Sequence, residues 1–234
     1  MTSDTTSATR IEPTMNVVRQ LIKAMLTSCV PREVLMVRGP RSHAESPKFA
    51  LTFDDGPHPE YTPRLLDRLE EFGVLATFFV IGRNAAEHPD LIRRMAGAGH
   101  EVANHTYSHS EPRLMSSRSF LDEVERTDDL LAELTGRIPS TVRPPKGEVN
   151  WGKLRGLWRN RKTIALWNVD PKDFRMTDSR EMIQWCGTYK PQDGDIVLLH
   201  DNHPYAIHAV QTMSSNGIFE RFEATTICQW MAQS

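Results

Sequence analysis

The sequence predicts an α/β fold built on a parallel sheet or barrel, for two reasons. From Phe49 onward, short apolar runs alternate with amphipathic segments, which is typical of strands that alternate with helices. Side chains suited to metal or acid–base chemistry follow several of these runs, and the active sites of such barrels gather at the carboxyl ends of the strands. We therefore expect convergence of Asp54, His105, Arg143, Asp170 and His200.

Local signals place the individual elements. Phe49-Ala50-Leu51 begins a short buried strand, which a turn at Gly56 and Pro57 ends. Thr62 is a plausible helix cap, with Pro63 at the first helical position. The remaining patterns predict strands at 76–81, 100–103, 141–143, 163–167, 195–199 and 221–226, and helices from 88 to 97–99 and from 117 to 134.

Composition narrows the class of protein. The 234 residues suit one α/β domain, and a net charge of -2 with 25% charged residues gives no argument for a nucleic-acid partner. The three cysteines, Cys29, Cys186 and Cys228, are widely spaced and form neither a disulfide framework nor a cysteine-based metal motif. No pattern predicts an oligomeric state.

Residues 1–45 combine a polar tail with an amphipathic segment, and the domain is expected at 46–234. The apolar positions of residues 15–30 are interrupted by Arg19, Gln20 and Lys23, which suits a packed helix and not the apolar core of a signal peptide. No stretch approaches the roughly 18 apolar residues of a membrane span. We expect no transmembrane segment and a cytoplasmic location.

Asp54 and Asp55 are adjacent carboxylates at the end of the first strand, within Thr52-Phe53-Asp54-Asp55-Gly56-Pro57. Neighbouring side chains of a strand point to opposite sides, so one aspartate could hold a metal ion while the other faces a substrate. Two like charges side by side cost free energy unless a cation or a donor compensates them. The alternative is a solvated acidic turn.

His105 and His109 follow a later apolar run. Residues four apart share one face of a helical turn, so the two rings can converge on one ion. Imidazole suits zinc, and also cobalt, nickel and iron. With Asp55 they would give three protein ligands and an open position, as expected of a catalytic metal.

Charged side chains follow three further apolar runs. Arg143 precedes two prolines and Gly147, and its guanidinium can pair with a carboxylate, although a surface arginine in a proline-rich loop is the simpler interpretation. Asp170 and Asp173 are difficult to bury without a role. His200 ends a strongly apolar run, where it is well placed for proton transfer.

Taken in order, these segments resemble the polysaccharide deacetylase family. The matching motifs are Thr-Phe-Asp-Asp-Gly-Pro, Asn-His-Thr-x-x-His, Arg-Pro-Pro-x-Gly, Asp-x-x-Asp-Phe and Leu-Leu-His, and they span most of the chain from Phe49 onward. The resemblance implies a distorted, incomplete (β/α) barrel as a catalytic domain at 46–234. It also implies a divalent metal, usually zinc, and hydrolysis of N-acetyl groups on N-acetylglucosamine units.

The resemblance assigns a metal site and a base. Asp54 matches the catalytic base that accepts a proton from the attacking water, and Asp55, His105 and His109 match the metal ligands. The division of labour between the two aspartates follows from the resemblance, since alternation along a strand shows only that they diverge.

The same resemblance assigns the remaining roles. Arg143 matches the residue that orients the base, His200 the general acid, and Asp173 the carboxylate that holds and tunes this acid. Leu198 and Phe174 correspond to an apolar pocket around the acetyl methyl group.

Two positions depart from the family pattern near the substrate. After Pro144 and Pro145 the family often has Tyr, whose backbone N–H helps to stabilise the oxyanion, and here the residue is Lys146. Phe174 replaces a Trp, so the indole donor is lost. Both changes bear on substrate preference more than on the reaction, because a backbone donor survives at Lys146.

The leading hypothesis is a metal-dependent N-deacetylase acting on an acetylated amino sugar or its oligomer. An O-deacetylase of acetylated polysaccharide and a hydrolase of small amides are the nearest enzymatic alternatives, because the same machinery serves esters and amides. A carbohydrate-binding pseudoenzyme would have lost an aspartate or histidine from these motifs, and the sequence retains them all.

Overall fold

A computed structural model describes residues 31–41 and 46–232. The predicted polar tail and the predicted helix at 15–30 lie outside the described residues, as does Cys29.

The described residues form one sheet of parallel strands. The strands are β1 (Leu35–Met36), β2 (Lys48–Asp54), β3 (Thr77–Val80), β4 (Glu101–Asn104), β5 (Thr141–Val142), β6 (Thr163–Ala165), β7 (Ile196–His200) and β8 (Glu223–Ala224). Their spatial order is β1-β6-β5-β4-β3-β2-β7, and β8 pairs with β2. Within residues 31–41 and 46–232, no strand pairing joins β7 to β1. The incomplete (β/α) barrel that the resemblance implied is therefore confirmed.

Helices connect most successive strands and cover the outside of the sheet. They are α1 (Tyr61–Glu71), α2 (Gly82–Glu87), α3 (Pro89–Gly97), α4 (Ser117–Thr135), α5 (Trp151–Arg159), α6 (Ser179–Thr188), α7 (Tyr205–Ser215), α8 (Ile218–Arg221) and α9 (Ile227–Ala232). The long α4 begins after Ser116, whose hydroxyl accepts a hydrogen bond from the Ser119 N–H at 3.0 Å. It ends at Gly136, which has a φ of 74°.

Both faces of β2 are buried, as its continuous apolar run requires. Phe49, Leu51 and Phe53 pack into a core that also contains side chains of α1 and α7. Ala50 points to the other side and packs in a smaller cluster with Trp230. Because this strand is enclosed on both faces, Asp54 at its end is held on a rigid support.

Most predicted elements are confirmed, with ends that differ by a few residues, but three differ in kind. Thr62 is not a cap, because α1 begins at Tyr61 and the Thr62 hydroxyl accepts a hydrogen bond from the His58 N–H at 2.8 Å. The predicted strand at 221–226 shrinks to β8, because α8 occupies the chain as far as Arg221. β1 lies ahead of residue 46 and pairs with β6, so the sheet extends before the predicted domain boundary.

In the described ranges, every helix is too short or too polar to cross a membrane.

Candidate active site

The ends of neighbouring strands bring four of the predicted residues to one edge of the sheet. Asp54 is the last residue of β2 and His200 the last of β7, and the two are partners in the parallel register. Arg143 directly follows β5, and His105 directly follows β4. The expected convergence is confirmed for these four residues.

Arg143 is fully buried and fixes the orientation of Asp54. Its Nη1 donates to Asp54 Oδ1 at 2.7 Å and to the Thr52 hydroxyl at 2.8 Å. Its Nε and Nη2 donate to the carbonyl oxygens of Ala165 and Leu166 at 2.8 and 2.9 Å. A planar guanidinium bound on all these sides cannot rotate. Arg143 therefore compensates the charge of Asp54 in a site closed to bulk water.

Asp55, His105 and His109 form a three-donor cluster beside Asp54. Asp55 Oδ1 lies 3.4 Å from His105 Nε2 and 3.3 Å from His109 Nε2. His105 Nε2 is also 3.7 Å from Asp54 Oδ2, so the cluster adjoins the oxygen that Arg143 leaves free. Asp55 lies beyond the end of β2 with a φ of 75°. This turn, and not the alternation of side chains along a strand, separates the two aspartates.

The donors of this cluster fit a divalent metal ion. Asp55 Oδ1 is buried and has no hydrogen-bond partner among the described residues, an arrangement that costs free energy unless a cation binds there. His105 Nδ1–H donates to the Arg143 carbonyl at 2.6 Å, which fixes the ring so that Nε2 faces the cluster. Burial alone would raise the pKa of Asp55, but its contacts with the two imidazoles lower it to about 2. The carboxylate is therefore ionised, as a ligand must be.

His105 and His109 lie in a loop, so the helical turn that the sequence suggested is wrong. Thr106 and His109 have φ values of 66° and 54°, and the loop curls so that the ring centroids of the two histidines lie 4.9 Å apart. Asn104 supports this loop. Its side-chain oxygen accepts a hydrogen bond from the Thr106 N–H at 2.8 Å, and its side-chain nitrogen donates to Asp128 at 2.9 Å.

Asp128 connects the metal-site loop to the rest of the fold. It lies on α4, and its other oxygen forms an ion pair with Lys162 Nζ at 2.6 Å. Both charged groups are nearly buried. Sequence reasoning missed this support, because the sequence places Asn104, Asp128 and Lys162 on three separate elements.

His200 and Asp173 form a second, separate pair. His200 Nδ1–H donates to Asp173 Oδ1 at 2.7 Å, and the His200 backbone N–H donates to Asp173 Oδ2 at 2.8 Å. Burial alone would lower the pKa of His200, but the hydrogen bond and the charge of Asp173 raise it to about 9. The ring therefore holds protons on both nitrogens near neutral pH, which is the form a general acid needs.

The predicted substrate-binding residues differ in exposure. Pro145 and Leu198 are buried, whereas Lys146 and Phe174 are exposed. Lys146 has a φ of 56° and its ammonium pairs with Glu111. The Phe174 side chain packs edge-on to His200, with ring centroids 5.8 Å apart, and is 53% exposed. The Phe174 ring thus offers an exposed apolar face beside His200, and its place in an apolar pocket around the acetyl methyl group stays a prediction.

Asp170 belongs to its own loop and not to the cluster. It accepts hydrogen bonds from the Trp167 indole N–H at 3.2 Å and from the Lys172 backbone N–H at 2.9 Å. These contacts shape the turn that leads to Asp173. Its predicted convergence with the other four residues is not seen in the hydrogen bonds of the site.

Two residues just after His200 were not predicted. Asp201 is fully buried and accepts a hydrogen bond from the Thr62 hydroxyl at 2.5 Å, and burial raises its pKa to about 7. His203 Nε2 lies 3.6 Å from Asp173 Oδ2. Their position within His200-Asp201-Asn202-His203 was the only sequence signal available.

Comparisons with known proteins agree with this site. The family model described as polysaccharide deacetylase matches residues 41–157. A chitooligosaccharide deacetylase of Sinorhizobium fredii is 37% identical over 167 residues, which cover 70% of this chain and 77% of that protein. The chain belongs to the polysaccharide deacetylase family.

Further relatives are peptidoglycan deacetylases by name. A peptidoglycan-N-acetylglucosamine deacetylase of Bacillus cereus is 37% identical over 148 residues, which are 63% of this chain and 53% of that protein. The chain thus spans about half the length of this relative. The solved peptidoglycan deacetylase PdaC of Bacillus subtilis has a TM-score of 0.74 and 30% identity, covering 80% of this chain and 91% of that one.

Proposed function

We propose that this protein is a metal-dependent N-deacetylase that removes acetyl groups from N-acetylglucosamine units of an oligo- or polysaccharide. The observation that carries the proposal is the position of Asp54, which adjoins the three-donor cluster and is the register partner of His200 on the neighbouring strand. Amide hydrolysis requires a base and an acid at one site, and a metal ion there assists it.

Asp55, His105 and His109 would hold the metal ion, and zinc suits their two imidazoles and one carboxylate best. When bound, such an ion supplies Lewis acidity, which polarises the acetyl carbonyl and makes water easier to deprotonate.

Asp54 accepts the proton of the attacking water. One of its oxygens is occupied by Arg143, and the other faces the cluster at 3.7 Å from His105 Nε2. Because the guanidinium fixes the plane of the carboxylate, the free oxygen stays directed at the cluster, where it can accept a proton from the water that attacks the acetyl carbonyl.

His200 donates a proton to the departing amine. An amine leaves only when it is protonated, whereas the alkoxide of an ester departs with less help. Asp173 keeps this proton on the ring by raising the pKa of His200 to about 9. Because the buried carboxylate of Asp173 keeps His200 protonated, the site favours amide over ester substrates.

The exposed side chains of Phe174 and Lys146 suit a sugar substrate. The exposed face of Phe174 beside His200 offers an apolar surface to a pyranose ring, and the pair of Lys146 and Glu111 offers donors and acceptors to hydroxyl groups. The names of the relatives point to the same class, because they are deacetylases of chitooligosaccharides and of peptidoglycan N-acetylglucosamine.

Mass spectrometry of acetate release tests the proposal. The protein is incubated with chitooligosaccharides and, separately, with acetylated xylan, each with and without a chelator. We expect chelator-sensitive loss of acetyl groups from the chitooligosaccharides. Release from xylan alone would favour an O-deacetylase, and release from neither, by a metal-loaded protein, would favour a binding protein without turnover.

A further inference from the structure

We propose that Asp173, His200 and His203 form a second divalent-cation site, and that a metal ion bound there inhibits the reaction by replacing a proton of the general acid. The inhibitory consequence rests on the proposed function, whereas the binding of the ion does not.

The three side chains form a compact group of possible ligands. Their donor atoms all lie within 4.8 Å of one another. The two oxygens of Asp173 each face an imidazole: Oδ1 is 2.7 Å from His200 Nδ1, and Oδ2 is 3.6 Å from His203 Nε2. Two imidazoles and one carboxylate are also the donors of the first cluster, so the described part of the chain carries two clusters of the same composition.

His203 gives the evidence that a ligand binds in this cluster. Both of its ring nitrogens are buried, and in the part of the chain that the structure describes neither has a hydrogen-bond partner. The ring packs against Tyr205 and His200, with centroids 4.7 and 6.0 Å away, so its position is held by contacts on both sides. A buried polar group without a partner costs free energy, and a metal ion at Nε2 would remove that cost.

Binding exchanges a metal ion for a proton. The N–H bond at His200 Nδ1 breaks, its electron pair ligates the ion, and the proton leaves to solvent. The ring then keeps one N–H, on Nε2. Loss of that proton would leave an imidazolate, and a metal-bound imidazole is a far weaker acid than an imidazolium. His200 can no longer protonate the leaving amine efficiently, although the first cluster stays loaded.

Equilibrium dialysis against buffered zinc measures the second site without any substrate. We expect the wild-type protein to bind two ions, the weaker one at higher free zinc. His203→Phe keeps an aromatic ring without a ligand atom, and should bind one ion. His208 is a half-buried histidine of α7 that lies outside both clusters, so the His208→Phe variant should still bind two ions. His203→Gln repeats the test with a smaller perturbation.

Zinc-edge anomalous diffraction then locates the ions. A second peak among Asp173, His200 and His203 supports the proposal. A second ion elsewhere, or one retained in both His203 variants, overturns it. One ion in the wild-type protein at every zinc concentration also overturns it and leaves His203 a positioning residue for Asp173.

Activity at increasing zinc tests the inhibitory role. At saturating zinc, the rate of acetate release by the wild-type protein should fall about a hundredfold from its value with one equivalent of zinc. A factor of this size is typical of the contribution of a general acid. The rate of His203→Phe should not fall with excess zinc. If no acetate is released under any condition, the proposed function fails, whereas the stoichiometry still decides whether the second site exists.

Discussion

Asp173→Asn tests the pairing that charges the general acid. In the wild-type protein Asp173 raises the pKa of His200 to about 9, and the asparagine removes this charge, so the pKa should fall towards the ordinary 6.5. This change corresponds to about 3 kcal/mol of lost stabilisation of the imidazolium. At about pH 8 the wild-type ring keeps roughly nine-tenths of its proton, and the variant ring about 3%.

The turnover number should therefore depend on pH in a different way in the variant. Because the acid form is lost as pH rises through the pKa, we expect kcat for a chitooligosaccharide to fall about thirtyfold at about pH 8 through protonation alone. At about pH 5.5 both rings are protonated, so this part of the loss disappears.

The assay is a pH profile of acetate release with one equivalent of zinc. Asp170→Asn is the matched control, because Asp170 lies in the same loop but forms its hydrogen bonds with Trp167 and Lys172 and not with His200. The alkaline limb of the pH profile of Asp170→Asn should coincide with that of the wild-type protein. A loss in Asp173→Asn that is equal at both pH values would refute the reasoning, because it would show that Asp173 acts on structure alone.

Three further substitutions test the other parts of the site. Asp54→Asn should keep its metal and lose about 10²–10⁴ in kcat, because the base is gone; wild-type activity would remove Asp54 from that role. His105→Ala should lower the metal content measured by atomic emission, and an unchanged content would exclude it as a ligand. Arg143→Met should lower the free energy of unfolding in urea by about 3–5 kcal/mol, because buried Asp54 loses its counter-charge. That loss should shrink in the Asp54→Asn background, and an equal loss in both would contradict the pairing.

The sequence correctly predicted which four side chains converge at one edge of the sheet, and the reason is physical. Strand ends are visible where an apolar run stops, and Asp54, His105, Arg143 and His200 each follow such a run. Parallel strands carry these ends to one side, so their convergence needs no knowledge of the register. Their individual roles depended on the family resemblance.

The sequence did not predict local geometry that tertiary contacts decide. The loop of His105 depends on Asn104 and Asp128, which are brought together by the packing of α4 on β4. The exposure of Phe174 depends on the turn that precedes it, and an aromatic residue in sequence gives no sign of which way its ring faces.

The short β1 was missed because Leu35–Met36 gives no periodicity to read. Its membership of the sheet comes from pairing with β6, which is distant in sequence.

The most direct test of the central claim is a zinc titration of metal-free protein, with acetate release from a chitooligosaccharide as the readout. The account predicts no activity without metal, a rise in rate to one equivalent, and no rise in Asp55→Asn. Full activity of the metal-free protein, or a wild-type protein that binds zinc at Asp55, His105 and His109 yet releases no acetate, would contradict it.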